Sequence, residues 1–377
     1  MTERHVRNLM REFAESTGLV GKSPPRRYLW TDAFAVCNFL ALYEQSGDEQ
    51  YLELALTLVD QVHHVLGRHR DDDPREGWIS GLPDAEGERH PTVGGLRIGK
   101  KMPERGPDEP LDFQLEWDRD GQYFHYLTKW MHALDSMATV AGERRYRRWA
   151  RELAATAHQA FCYQAGRDGP PRMYWKMSID LSRPLVPSMG QHDPLDALIS
   201  YLELQTAGPT AAERIPDLTQ AIEETSAMCR DGHWRTEDPL GIGGLLDAAS
   251  RLARLVFERR IDRRRLLEQI LSESQLSLRA FARSDLLNES PERRLAFREL
   301  GLAIGLEGLF RGRRHLQQDP ELSALVEDLL KHHALGKQIE AFWSDPIHRR
   351  NRTWTSHGDI NNVMLATSLA AEGYFRL

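Results

Sequence analysis

The chain has 377 residues, 41% hydrophobic and 28% charged, with a formal net charge of -7 and a pI of about 6.1. That acidic balance excludes a general nucleic-acid coat, and the length allows either one large closed architecture or two to three smaller domains. Cys37, Cys162 and Cys229 are too few and too scattered for a disulfide framework; each falls in an apparent helix and reads as a small buried hydrophobe. The opening "MTERHVRNLMREFAES" lacks the apolar core of a signal peptide, and no run of ~20 apolar residues could span a bilayer. A cytoplasmic location with no membrane or nucleic-acid partner is the expectation.

Helical periodicity predicts, in chain order, helices near 2–16, 31–44, 49–66, 120–140, 143–163, 193–206, 211–229, 239–256, 261–282, 295–310, 320–333 and 357–373. Period-2 alternation, the mark of a strand, is hard to find outside 75–117. Two kinds of helix alternate. Those at 2–16, 49–66, 143–163, 211–229, 261–282 and 320–333 are charged and amphipathic. In "EQYLELALTLVDQVHHVL", Leu52, Ala55, Leu56, Val59, Val62 and Leu66 form one apolar face. The other six are apolar or small around most of their circumference, as a helix buried on all sides must be. Two of these carry glycines: Gly241, Gly243 and Gly244 in "PLGIGGLLDAAS", and Gly301, Gly305 and Gly308 in "ELGLAIGLEGLF". Glycine costs a helix about 1 kcal/mol relative to alanine, so such a face implies neighbouring helices in close approach.

Six exposed helices alternating with six buried ones make a repeat of helical hairpins. Connections from buried to exposed helices are short ("SGD", "AGE", "AGPT"), whereas those from exposed to buried helices are long, at about 67–118, 164–192 and 334–356. An open solenoid would have more even loops. The contrast fits an all-α (α/α)6 toroid, an inner and an outer ring of helices in a single domain over 1–377. Long loops, including 67–118, would lie at one mouth, and the closing segment "WTSHGDINNVMLATSLAAEGYF" would supply the sixth inner helix.

The buried helices open on a recurring chemistry: "YLWTDAF", "LEWDRDGQYFHY", "SMGQHDPLDAL", "WRTEDPLGIGG", "SPERRLAFRELG" and "WTSHGDINN". Five place an acid near the helix start. Asp, Ser and Thr are also preferred N-caps, so capping competes as an explanation for each acid taken alone. Capping does not require the accompanying Trp30, Trp117, Trp234 and Trp354, nor His192 and His357. Aromatic faces stack on the C–H surfaces of sugars while carboxylates bind hydroxyls, which makes a concave carbohydrate site the expectation. Hydrophobic stapling of each loop is the competing role for the tryptophans. Candidate ligand contacts are Trp30, Asp32, Trp117, Gln122, Tyr123, His125, Trp234, Trp354 and Asp359.

Charge adds a further expectation. Residues 88–105 hold Arg89, Arg97, Lys100, Lys101 and Arg105 against Glu88 and Glu104, and similar excesses occur at 172–183 and 345–352. Basic groups concentrated in the loops of an acidic protein favour an anionic sugar, with Arg97 and Lys100 as candidate contacts; pairing with neighbouring acids is the alternative. His63-His64 and His332-His333 fall on amphipathic helices and read as surface residues. "GGLRIGKK" matches no phosphate-binding motif, no serine sits in GxSxG, and no metal or other cofactor is expected.

Six hairpins with aromatic and acidic starts to the inner helices resemble the six-hairpin glycosidase-like superfamily across essentially the whole chain. Within it the sequence looks most like the unsaturated glucuronyl hydrolases. That resemblance implies acid/base aspartates at the second and third inner helices, here Asp118 or Asp120 and Asp193 or Asp196. One would be kept protonated by burial against Trp117 while the other activates water. A carboxyl separation of ~5–5.5 Å would imply a retaining route and ~6.5–9.5 Å an inverting one. The N-acylglucosamine 2-epimerase family uses the same ring with histidines as proton carriers, which would give His192 and His357 those roles. A toroid that binds carbohydrate without chemistry is the third reading, and the sequence leaves substrate and oligomeric state open.

Overall fold

A computed structural model describes residues 2–166, 169–208, 215–230 and 232–375. The helices are α1 (Thr2–Ser16), α2 (Leu29–Ser46), α3 (Glu49–Leu66) and the short α4 (Asp84–Arg89) and α5 (Phe113–Glu116). After β1 (Gln122–Tyr123) come α6 (Phe124–Ala141), α7 (Arg144–Phe161), β2 (Cys162–Gln164), β3 (Pro171–Met173), β4 (Lys176–Met177) and β5 (Pro184–Val186). Next are α8 (Asp193–Thr206), α9 (Thr219–Cys229), α10 (Pro239–Phe257), α11 (Arg264–Ala282) and α12 (Ala296–Leu316). The chain ends with α13 (Pro320–Leu330), α14 (His333–Ser344), α15 (Arg352–Thr355) and α16 (Gly358–Leu369). Among the described residues no helix is long and apolar enough to cross a membrane.

The chain divides into two compact units, Ala14–Gly232 and Met1–Phe13 with His233–Leu377. In the first, apolar α2, α6 and α8 pair with amphipathic α3, α7 and α9, and α6 packs between α2 and α8. Helix α2 buries every residue from Leu29 to Leu42, as its lack of a polar face demands. Helix α3 buries only the stripe Ala55, Leu58, Val59, Val62, His63 and Leu66. Gly47, at φ +68°, reverses the chain between them, and Asp48 caps α3 by accepting from Gln50 N at 3.1 Å.

In the second unit α12 is central, packed against α10, α13, α14 and α16. The glycine pattern has the consequence expected of it. A methyl group on Gly243 would lie 2.1 Å from Gly301 O, and one on Gly305 would lie 2.4 Å from Gly243 O, so α10 and α12 meet backbone to backbone.

Some expectations need correction. Helix α14 occupies part of the 334–356 stretch read as loop; it buries Gly336, Ile339, Glu340 and Trp343 on one side. The strands lie at 122–123 and within 162–186, outside the 75–117 segment where alternation was sought. They are two or three residues long, too short to carry a period. Helix α9 begins at Thr219, and residues 211–214 of the predicted helix lie outside the described residues. His63 is not a surface residue: it is 3% exposed, wedged between Trp130 and Trp149, and accepts a hydrogen bond from Trp130 Nε1 at 3.2 Å. Burial drives its pKa down to about 3, which keeps the accepting nitrogen unprotonated.

Candidate active site

The acids of the α6 and α8 openings meet opposite surroundings, all within Ala14–Gly232. Asp120 is fully buried and fully committed. It accepts from Arg97 Nη1 at 2.6 Å, Arg70 Nη1 at 3.2 Å, Gly99 N at 3.0 Å and Lys100 N at 3.2 Å. Arg97 spends its other donors on Arg68 O and Val65 O, so the pair is a strut tying the 97–101 segment to the start of β1. Gln122 is equally buried and knits three segments: it accepts from Leu96 N and donates to Gly94 O and Ile179 O. Asp118 and Trp117 are exposed, the tryptophan by 53%, so, contrary to expectation, Asp118 is not buried against Trp117.

Asp193 is the opposite case. It opens α8, where Pro194 supplies the fixed φ of a first helical turn and the His192 side chain makes no capping bond. The residue is 5% exposed; burial first, and then the neighbouring Asp196, push its carboxyl well above the usual carboxylate range, which favours the protonated form. Its Oδ1 stands 3.7 Å from His125 Nδ1, beyond hydrogen-bond reach, and its Oδ2 has no partner.

His125, in the first turn of α6, sits among rings: stacked on Tyr123 at 5.4 Å, edge-on to Tyr126 at 4.9 Å, and parallel to Trp175 at 6.4 Å. Desolvation lowers its pKa to about 4, leaving a neutral imidazole whose Nδ1 lacks a partner. Tyr123 Oη is buried and unpartnered as well. Three polar atoms around one ring stack therefore lack the hydrogen bonds that buried groups ordinarily find. The aromatic wall continues through Tyr126, whose Oη lies 2.5 Å from Tyr28 Oη, to Trp30 at 6.4 Å from the Tyr126 ring. On the other side Trp117 meets Trp175 edge-on at 4.9 Å. Lys100 Nζ lies 5.5 Å over the Tyr28 ring; desolvation lowers its pKa while Asp118 opposes that shift.

The remaining candidates have different surroundings. Asp32 is buried and clasps the start of α2, accepting from Tyr28 N at 2.8 Å. Trp234 and Trp354 are 2% and 5% exposed in the other unit, Trp354 against Trp343. His357 is exposed beside Phe297, Asp359 half-exposed in the first turn of α16, and His192 half-exposed ahead of α8. The basic loops are largely neutralised from within. Lys176 is fully buried on Glu116 at 2.9 Å, Arg105 reaches the same carboxylate, and Arg75 spans Asp73, Glu104 and Asp180. Among the described residues no group of three or more His, Cys, Asp or Glu side chains could hold a metal ion.

Trp175, Tyr126 and Tyr28 were not singled out from the sequence. Tyr28 and Tyr126 stood inside the quoted helix starts, and "MYW" at 173–175 was a signal, three large side chains together where a loop was expected.

No family model matches the sequence, and no curated protein matches it. Solved structures do match in shape. An inactive variant of the alpha-1,6-mannanase GH76A of Salegentibacter sp. HEL1_6, in complex with alpha-1,6-mannotetrose, is 12% identical; the match covers 98% of this chain and 99% of that one, with TM-score 0.55. A family 76 glycoside hydrolase from a bovine Bacteroides thetaiotaomicron strain, also 12% identical, matches over 100% of this chain and 78% of its own, again at 0.55. A cellobiose 2-epimerase from Spirochaeta thermophila is 15% identical over 86% and 84% of the two chains, at 0.48. The first two show the fold class: this chain has the all-α (α/α)6 toroid fold.

Proposed function

We propose that the chain is a carbohydrate-active enzyme, a hydrolase whose general acid is Asp193. One observation carries this reading. Asp193 is a buried carboxyl whose surroundings favour its protonated form, with a free oxygen, beside an aromatic wall that a sugar ring can stack on. A carboxyl in that state can protonate a departing glycosidic oxygen, while exposed Asp118 remains available to activate water. Trp30, Tyr123, Trp175 and Trp117 supply the stacking faces, and the mannanase neighbours make α-mannosides the first substrates to try. Lys100, without a carboxylate partner in hydrogen-bond reach, supports an anionic substituent on the sugar.

The test compares leaving groups. Asp193→Asn should lose about 100-fold or more on an alkyl glycoside and much less on a dinitrophenyl glycoside, whose leaving group needs no proton. Equal losses on both, or a loss under about tenfold on the alkyl substrate, would overturn the assignment. A second reading rests on His125: a neutral imidazole with an unpartnered Nδ1 facing Asp193 could carry a proton to and from a sugar carbon, as epimerisation requires. Incorporation of solvent deuterium into a free sugar would select it over hydrolysis.

A further inference from the structure

Where α7 runs into β2, outside the candidate active site, three side chains form a relay. Cys162 Sγ lies 3.3 Å from His158 Nδ1, and His158 Nε2 lies 3.0 Å from Glu224 Oε2 on α9. His158 and Cys162 are four residues apart, the spacing that brings side chains together on one face. An ionised carboxylate only accepts, so Nε2 carries the hydrogen and Nδ1 turns its lone pair to the thiol. A nucleophile, a base and a third group that orients the base are thereby in reach of one another.

A fourth group makes this more than a buried cysteine. Tyr201 of α8 is fully buried and edge-on to His158 at 5.8 Å, and its Oη has no partner. Burial raises its phenol far above the usual value, with neighbouring Cys162 contributing. Burial also pushes the Cys162 thiol up to about 12 and holds His158 below its ordinary value, so thiol and imidazole both rest neutral. Unlike Cys37 and Cys229, which are buried, Cys162 is partly open to solvent.

We propose that Cys162 is a modification site for small electrophiles, with His158 as general base, Glu224 orienting the imidazole and Tyr201 donating to the departing group. As sulfur attacks, the Sγ–H proton passes to His158 Nδ1. The new bond to sulfur forms while the bond to the leaving group breaks; the leaving group departs with that electron pair, and the imidazolium returns its proton to solvent.

Iodoacetamide tests this on the full chain, because the probe is neutral and loses only iodide. Mass spectrometry should find Cys162 alkylated well ahead of Cys37 and Cys229. The rate should level off by about neutral pH, since the base is already unprotonated there. An unassisted thiol would instead gain about tenfold per pH unit up to its own high pKa. His158→Gln should slow the reaction by about 100-fold and replace the plateau with that climb. Glu224→Gln, on a carboxylate 36% exposed, should slow it by about threefold or more without unfolding risk. A steady climb with pH in the unaltered protein, or native rates in both variants, would overturn the proposal.

Discussion

In the unit containing residues 233–377, buried Glu299 is met by Arg294 Nε at 2.9 Å and Nη2 at 2.6 Å, and by Trp343 Nε1 at 2.8 Å. Arg294 also donates from Nη1 to Leu287 O and lies 3.7 Å over the Phe342 ring. In the unit Ala14–Gly232, Asp193 is as deeply buried, yet its nearest cationic candidate is a neutral histidine beyond hydrogen-bond distance. A buried ion pair with both carboxylate oxygens bonded is an architectural joint. A buried carboxyl left protonated with a free oxygen costs stability without holding anything, and such a cost is characteristic of groups kept for a ligand. Asp120 shows that the difference lies in partners and not in location, because it shares a unit with Asp193 and is saturated like Glu299.

Substitutions can break this contrast. Glu299→Ala should cost the most, about 3–5 kcal/mol by urea unfolding, because Arg294 is left buried without a counter-ion. Asp120→Asn keeps the shape but removes the charge facing Arg97 and Arg70, and should cost about 2 kcal/mol. If Asp120→Asn proved neutral while Asp193→Asn unfolded the chain, the division of roles would be reversed.

Asp193→Asn should instead change how stability depends on pH. The folded carboxyl keeps a proton that the unfolded chain loses. Its contribution is full below about pH 4 and is lost as pH rises towards the folded pKa. As pH rises above about 4, the thermal midpoint of the unaltered protein should therefore fall relative to that of the Asn variant. Parallel curves would mean that the carboxyl is already ionised. The smallest effect belongs to Tyr123→Phe, which deletes a buried hydroxyl with no partner. Stability should stay the same or rise by up to about 1 kcal/mol, while turnover of a sugar substrate falls. A clear loss of stability would show that the hydroxyl is bonded in solution.

The helices were legible because burial writes a period into the sequence. The apolar run at 31–44 and the stripe Leu52, Ala55, Leu56, Val59, Val62 and Leu66 pointed to α2 and α3, although the structure buries Leu58 and leaves Leu52 and Leu56 half-buried. The glycines of α10 and α12 announced their contact. The site was legible only in part. His125, Tyr123 and Asp193 stood at helix starts where acids and aromatics recur. Nothing local separates Asp120 from Asp193, since the arginines that commit Asp120 are 23 and 50 residues away in the chain. The same distance effect hid Trp175, which reaches His125 through the β4–β1 pairing. Basic residues in the loops suggested a positive face because their acidic partners, such as Glu116 for Lys176, are 60 residues off.

The seam between α10 and α12 has a kinetic meaning. With Gly301 and Gly243 backbones in contact, no side chain can swing aside to admit water between the two helices. Opening them requires whole-helix separation, so their amides should be the last of residues 233–377 to exchange with solvent deuterium, and their protection should match the global unfolding free energy of that unit.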